Sequence, residues 1–223
     1  MLLLITDTAG KNGSVALARA EPPSAVEVIE VAPLTGGNFA ALMLPHIANL
    51  LAKNEFGKKD IGAFIVVAGP GSFTGLRVGL AAVKALAEIL RKPIVPVSLL
   101  EIAARGAKAP GKVLAALDAG RGEVYVGKYD TAGKLTSEER VMAREEFFSL
   151  ARETSAITSD ETLAASARAA GILIQSISPP DAAVIARFGF GKLQAGQVVS
   201  PELLEANYIR RSDAEIFAQP AKK

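Results

Sequence analysis

Residues 63–90 constrain this chain more than any other stretch. The apolar run Ala63 to Ala68 enters a glycine-rich turn, Gly69-Pro-Gly-Ser-Phe-Thr-Gly75, and continues into a helix through Leu90 that is apolar on nearly every side. At about 100° per residue its only charges, Arg77, Lys84 and Glu88, share one narrow stripe, whereas a surface helix shows a broad polar face. A helix of this kind needs two neighbours, one of them its own core. Leu76, Leu80, Val83, Leu86 and Leu90 fill one arc, and Gly75, Val78, Ala81, Ala82, Ala85 and Ile89 fill the smaller arc expected to meet a second chain. Gly71, Gly75 and Gly79 carry small-residue spacing back into the turn, which would let helix axes approach closely. On composition alone, burial in a single large core is the alternative.

The chain has 223 residues, half of them hydrophobic, enough for one large domain or two lobes of about 100 residues. No apolar run reaches the roughly 18 residues of a membrane span, so surplus apolar surface is expected to meet protein. Met1 to Ile5 is too short for a signal-peptide core and lacks a basic flank, so the expected location is cytoplasmic. With no cysteine, disulfides, thiolate metal sites and a cysteine nucleophile are excluded. His46 is the only histidine, which excludes any two-histidine metal site. No metal site and no catalytic residue are assigned. A balance of 25 basic and 23 acidic residues does not point to a nucleic-acid groove. Arg210, Arg211, Lys222 and Lys223 read as a solvated tail.

Leu2 to Thr6, Ser14 to Ala20 and Val26 to Val31 read as strands of an antiparallel meander, separated by Gly10-Lys-Asn-Gly13 and Pro22-Pro23. Then follow a helix over Phe39 to Lys53, a buried strand over Ile61 to Ala68, the helix over Thr74 to Leu90, and a strand over Ile94 to Val97. That order is the order of a ribonuclease-H-like lobe with a mixed sheet. The pattern begins again at Val113 to Asp118, which ends in aspartate as Leu2 to Asp7 does, and continues with Glu123 to Tyr129. Helices near Glu145 to Arg152, Glu161 to Ala170 and Asp181 to Ala195, with strands at Ala156 to Thr158 and Ile172 to Gln175, complete it. The expected organisation is an N-terminal lobe 1–98, a smaller lobe 99–207, and a segment 208–223 returning to the first lobe.

Asp7 and Thr8, at the end of the first strand, have two readings: a phosphate-facing pair acting through a metal ion, or an Asx-turn that closes the hairpin. Ser72 and Thr74, at the start of the second helix, could cap it or offer amides to an anion, although no Gly-Lys-Ser/Thr follows. Asp7, Thr8, Ser72 and Thr74 are therefore the candidate nucleotide contacts. In the first helix Leu42, Met43, Leu44, Ile47, Leu50 and Leu51 cover most of the surface and Ala41, Ala48 and Ala52 line a small-residue seam. Pro45 must sit in the first turn or kink it. The expected partner surface takes Leu42, Met43, Pro45, His46 and Leu50 from this helix. From the second segment it takes Gly71, Phe73, Gly75, Arg77, Val78, Ala81, Ala82, Ala85 and Ile89.

Asp7-Thr8, Leu44-Pro45, the Gly69 to Ala87 segment, Asp118-Ala-Gly-Arg-Gly-Glu-Val-Tyr125 and Tyr208-Ile-Arg210 together resemble the TsaB (YeaZ) family. The resemblance implies two ribonuclease-H-like lobes of the actin/hexokinase/heat-shock-protein (ASKHA) superfold. It further implies a non-catalytic subunit that pairs with and activates TsaD, which transfers a threonylcarbamoyl group to the adenosine beside the anticodon of tRNAs reading A-starting codons. The TsaE ATPase would join the pair, tRNA would be met through the complex, and the resemblance leaves the chain alone open between a monomer and a homodimer. No cofactor is implied for this chain by itself, with ATP or ADP placed at the complex interface, and no membrane is involved. Family members often carry histidine where Phe39 stands and arginine where Gly120 stands. The competing expectation is an independent ATPase or phosphotransferase of the same superfold using Asp7 and Asp118; a peptidase is opposed by the missing nucleophile constellation.

Overall fold

The computed structural model describes residues 1–35, 38–108, 111–130, 135–207 and 209. In the first lobe β1 (Leu2–Asp7), β2 (Gly13–Glu21) and β3 (Ala25–Leu34) form an antiparallel meander. Helix α1 (Phe39–Lys53) leads to β4 (Ile61–Gly69), and helix α2 (Phe73–Leu90) leads to β5 (Ile94–Ser98). β4 runs parallel to β1 and β5 parallel to β4, giving the strand order β3-β2-β1-β4-β5. Each parallel step needs a crossover, which the two helices supply. β4, buried along nearly its whole length, reads as continuous apolar sequence because helices cover both faces of that part of the sheet.

The second lobe repeats this plan. After α3 (Leu99–Arg105) come β6 (Lys112–Gly120), β7 (Glu123–Asp130), β8 (Leu135–Ala143), α4 (Arg144–Glu153), β9 (Ala156–Thr158), α5 (Glu161–Ala169), β10 (Gln175–Ser176) and α6 (Ala182–Gln194). The order β8-β7-β6-β9-β10, with β9 parallel to β6 and β10 parallel to β9, mirrors the first sheet strand for strand. This is the duplicated ribonuclease-H-like architecture of the ASKHA superfold. β8 was not expected from the sequence, and the last strand, expected over Ile172 to Gln175, is confined to Gln175–Ser176.

The helix that ends each half packs on the other half. α3 buries Leu100, Ala103 and Ala104 against Val113, Ala115 and Tyr129 of the second sheet. α6 buries Ala182, Ile185, Ala186 and Phe190 in the core of the first. Gly189 permits this, since a Cβ there would stand 2.5 Å from Ile65 Cγ2. The expected lobe 99–207 is therefore corrected: α6, and Leu204 beyond it, belong by packing to the first lobe, because their apolar stripe finds its complement there. Asn207 also returns to the first sheet, its N–H donating to the Ala68 carbonyl at 2.8 Å. Of the expected returning segment 208–223 and the Tyr208-Ile-Arg210 stretch, only Ile209 lies within the described residues, and it packs against the cluster that α3 forms with the second sheet; Arg210, Arg211, Lys222 and Lys223 lie outside them.

Candidate functional site

The glycine-rich motif is built around Thr8. A Cβ at Gly75 would lie 2.1 Å from the Thr8 carbonyl oxygen, one at Gly79 2.3 Å from Thr8 Oγ1, and one at Gly71 2.4 Å from the Ala9 carbonyl oxygen. Any side chain at these three positions would force α2 off the end of β1. Gly75 and Gly79 lie one turn apart in α2 and Gly71 in the turn before it, and all three press on the β1–β2 turn. Gly75 is buried there, so its expected partner role is corrected, whereas Gly71 is half-exposed. Ser72 caps α2, its Oγ accepting from Gly75 N at 3.3 Å, while its own N–H donates to the Ala9 carbonyl at 2.7 Å. That amide is thus spent inside the chain.

Asp7 adopts the Asx-turn, its Oδ1 accepting from Ala9 N at 2.9 Å. Burial pushes its carboxyl above the ordinary 3.8, opposed by that backbone hydrogen bond. Thr8 is fully buried, so it offers no surface to a nucleotide. Asp118, which occupies in β6 the place of Asp7 in β1, is held by Arg144 at 2.9 Å, both side chains largely buried. Among the described residues no group of three His, Cys, Asp or Glu side chains is arranged to hold a metal ion.

Above the motif, α1 and α2 lie side by side and present apolar surface outward. From α2, Ala81 and Ala85 are exposed, Val78 and Ala82 half-exposed, and Ile89 is 71% exposed, a large value for a β-branched apolar residue. Phe73 is half-buried, and Arg77 lies at the rim with its guanidinium 3.7 Å over the Phe73 ring. From α1, Ala41, Ala48 and Ala52 are exposed with Pro45, and Leu44 is 52% exposed. Two expected interface residues are corrected: Met43 and Leu50 point into the chain's own core. Leu42 and His46 are half-buried at its edge. The large side chains of α1 face inward and the alanine seam faces out. Leu44, missed from the expected interface, was marked by its place one turn from Ala41 and Ala48. Pro45 sits in the second turn, on the exposed face, where the Ala41 carbonyl left without an intrahelical donor meets solvent.

Where this face meets the start of α2 it opens into a cleft of about 510 Å³. Lys11, Asn12 and Asn38 line one side, Ser72, Thr74 and Val78 the other, and Phe39 the floor. The buried Phe39 ring touches the positions a Cβ would take on Gly13 and Gly75, which explains a flat aromatic at this place. Gly120 has φ +73° and open space around it, so its turn favours a residue without a side chain. Among the described residues no helix, α2 included, is long and apolar enough to cross a membrane.

A family model described as TsaD: tRNA N6-adenosine threonylcarbamoyltransferase matches residues 33–190, more than two thirds of the chain. The chain is 34% identical over 130 residues to the tRNA threonylcarbamoyladenosine biosynthesis protein TsaB of Bacillus subtilis, covering 58% of this chain and 55% of that protein. It is 39% identical over 90 residues to the protein of the same description from Escherichia coli, covering 39% of each. The matched stretches thus span about half or less of these curated relatives. A solved Pseudomonas aeruginosa structure, described as an uncharacterized protein with similarity to peptidase YEAZ, superposes with a TM-score of 0.74 at 25% identity, over 94% of this chain and 99% of that one. The family match, the two relatives and this near end-to-end superposition agree: the chain belongs to the TsaB (YeaZ) family, within the wider threonylcarbamoyltransferase family of the matched model.

Proposed function

We propose that this chain is a non-catalytic subunit of a tRNA threonylcarbamoyladenosine-forming complex, docking on TsaD through α1 and α2 and activating it, with TsaE joining the pair and tRNA held mainly by the complex. The observation that carries the reading is the outward alanine seam of α1 beside Ala81, Ala85 and Ile89 of α2: small residues that let a partner's helices approach closely, on a surface too apolar to be left to water. In the absence of TsaD the same face would pair two copies of this chain. A cytoplasmic location follows from the reading, since its substrate is tRNA.

The carboxylates that would hold a metal–nucleotide in this superfold are otherwise engaged, Asp7 by its own turn and Asp118 by Arg144. Those residues do not fit a phosphotransfer site. An adenine nucleotide needed by the assembly would sit at the subunit junction, where the cleft beside Thr74 and Val78 opens onto the partner face. The test is reconstitution with tRNA and threonylcarbamoyl-adenylate. The chain alone should give no transfer, and adding it to TsaD should raise transfer well above TsaD alone. Robust transfer by this chain without TsaD, after contaminant controls, would overturn the reading.

A further inference from the structure

The exchanged helices α3 and α6 meet in a second cleft, of about 260 Å³, which shares no lining residue with the cleft beside α2. Three cations surround it: Arg105 at the end of α3, and Arg187 and Lys192 from α6. Between them lies the half-buried ring of Phe188, with the Arg105 guanidinium 5.4 Å and the Lys192 ammonium 5.7 Å from its centroid. Lys192 is paired with Glu101 at 3.0 Å, which fixes it against the ring, whereas Arg105 and Arg187 extend to the exposed rim.

Gly191, exposed in the lining of the cleft, meets no neighbour that would require a glycine. Gly189 is required by Ile65, but a Cβ on Gly191 would meet nothing within 4 Å. Gly191 lies in the last turn of α6, where glycine costs up to about 1 kcal/mol against alanine, so its use where alanine fits points to a ligand that must approach the helix backbone. The volume falls below the roughly 300–1,000 Å³ of a small-molecule pocket, and the shape suits a passing strand better than an enclosed ligand.

We infer that the α3–α6 cleft takes the phosphodiester backbone of single-stranded RNA, with Arg105 and Arg187 on phosphates and a base or ribose lying over Phe188 and Gly191. Guanidiniums answer phosphate and an aromatic face answers a base, whereas a carboxylate or phosphorylated protein ligand would leave the ring unused. The site stands on α3 and α6 alone and does not rest on the role proposed for the α1–α2 face.

The test is fluorescence anisotropy of the full chain with a labelled, unstructured RNA of about twelve nucleotides, from about 50 mM salt upward. Binding should be weak and salt-sensitive, with a log–log slope of about −1.4 for two phosphate contacts. The R105E/R187E variant should lose about tenfold or more at low salt and bring the slope toward zero, while K58E/K59E, the same charge change on the exposed turn before β4, should bind nearly as the parent does. Gly191→Ala should raise the Tm yet weaken RNA binding, a combination that a purely structural glycine does not produce. No saturable binding at about 50 mM salt would overturn the inference, as would equal losses in the two double variants or unchanged binding by Gly191→Ala.

Discussion

Thr8 shows how one residue can dictate a motif elsewhere in the chain. Its carbonyl and hydroxyl press on Gly75 and Gly79, so the glycines of the motif answer to a partner more than sixty residues away. Replacing a mid-helix glycine by alanine ordinarily gains about 1 kcal/mol. At Gly79 the added Cβ would overlap Thr8 Oγ1, so Gly79→Ala should instead cost about 1–3 kcal/mol by urea denaturation, and Thr8→Ala in the same chain should recover part of the loss. Additive effects of the two would contradict this packing. Asp7 allows a complementary test. Because burial raises its folded pKa above the unfolded value, its favourable contribution is full below pH 3.8 and is lost as pH rises through the folded value. Asp7→Asn keeps an acceptor for Ala9 N and removes the buried charge, so its Tm should exceed the parent's at pH 7 and converge with it on acidification. A lower Tm at pH 7 would show that the carboxylate is held by an interaction other than the Asx-turn.

At the scale of elements, α1 and α2 differ from ordinary surface helices in having two apolar faces of unequal grain. The coarse face, with Met43, Leu50, Leu76 and Val83, fills the core, and the fine face, with Ala48, Ala81 and Ala85, is outside. Met43→Ala should therefore cost about 2–5 kcal/mol in urea denaturation, whereas Leu44→Glu, one residue on, should change stability by less than about 0.5 kcal/mol. Equal costs would mean that α1 is rotated from this placement. The bounds of α1 and α2 were legible in the sequence because strong periodicity and turn residues mark them. The facing of α1 was not, because a helix apolar all round carries no moment strong enough to orient it. β8 was missed for the opposite reason: as an edge strand it carries Glu138, Glu139 and Arg140, which blunt the edge and hide the apolar alternation.

For the whole molecule, the duplicated order of strands was legible from the recurrence of a strand ending in aspartate, but the exchange of α3 and α6 was not, because nothing local distinguishes a helix that packs on its own sheet from one that crosses. Glu139 of β8 helps to fix that crossed arrangement. It accepts from Ser98 Oγ of β5 at 2.7 Å, from the Tyr129 hydroxyl of β7 and from Asn207 Nδ2, joining both sheets and the returning chain. The phenol of the buried Tyr129 is pushed well above its ordinary value, by burial first and by the Glu139 charge second, and so stays a donor to this carboxylate. A rigid two-lobed body held in this way can present α1 and α2 as a preformed docking face for TsaD. Native mass spectrometry of Ala85→Arg mixed with TsaD tests it most directly, with circular dichroism to confirm folding and Glu88→Lys, at the charged edge of the same helix, as control. A bulky cation between closely packed helices should abolish the heterodimer in Ala85→Arg and leave it in Glu88→Lys. A folded Ala85→Arg chain that binds TsaD with unchanged affinity would contradict docking through this face.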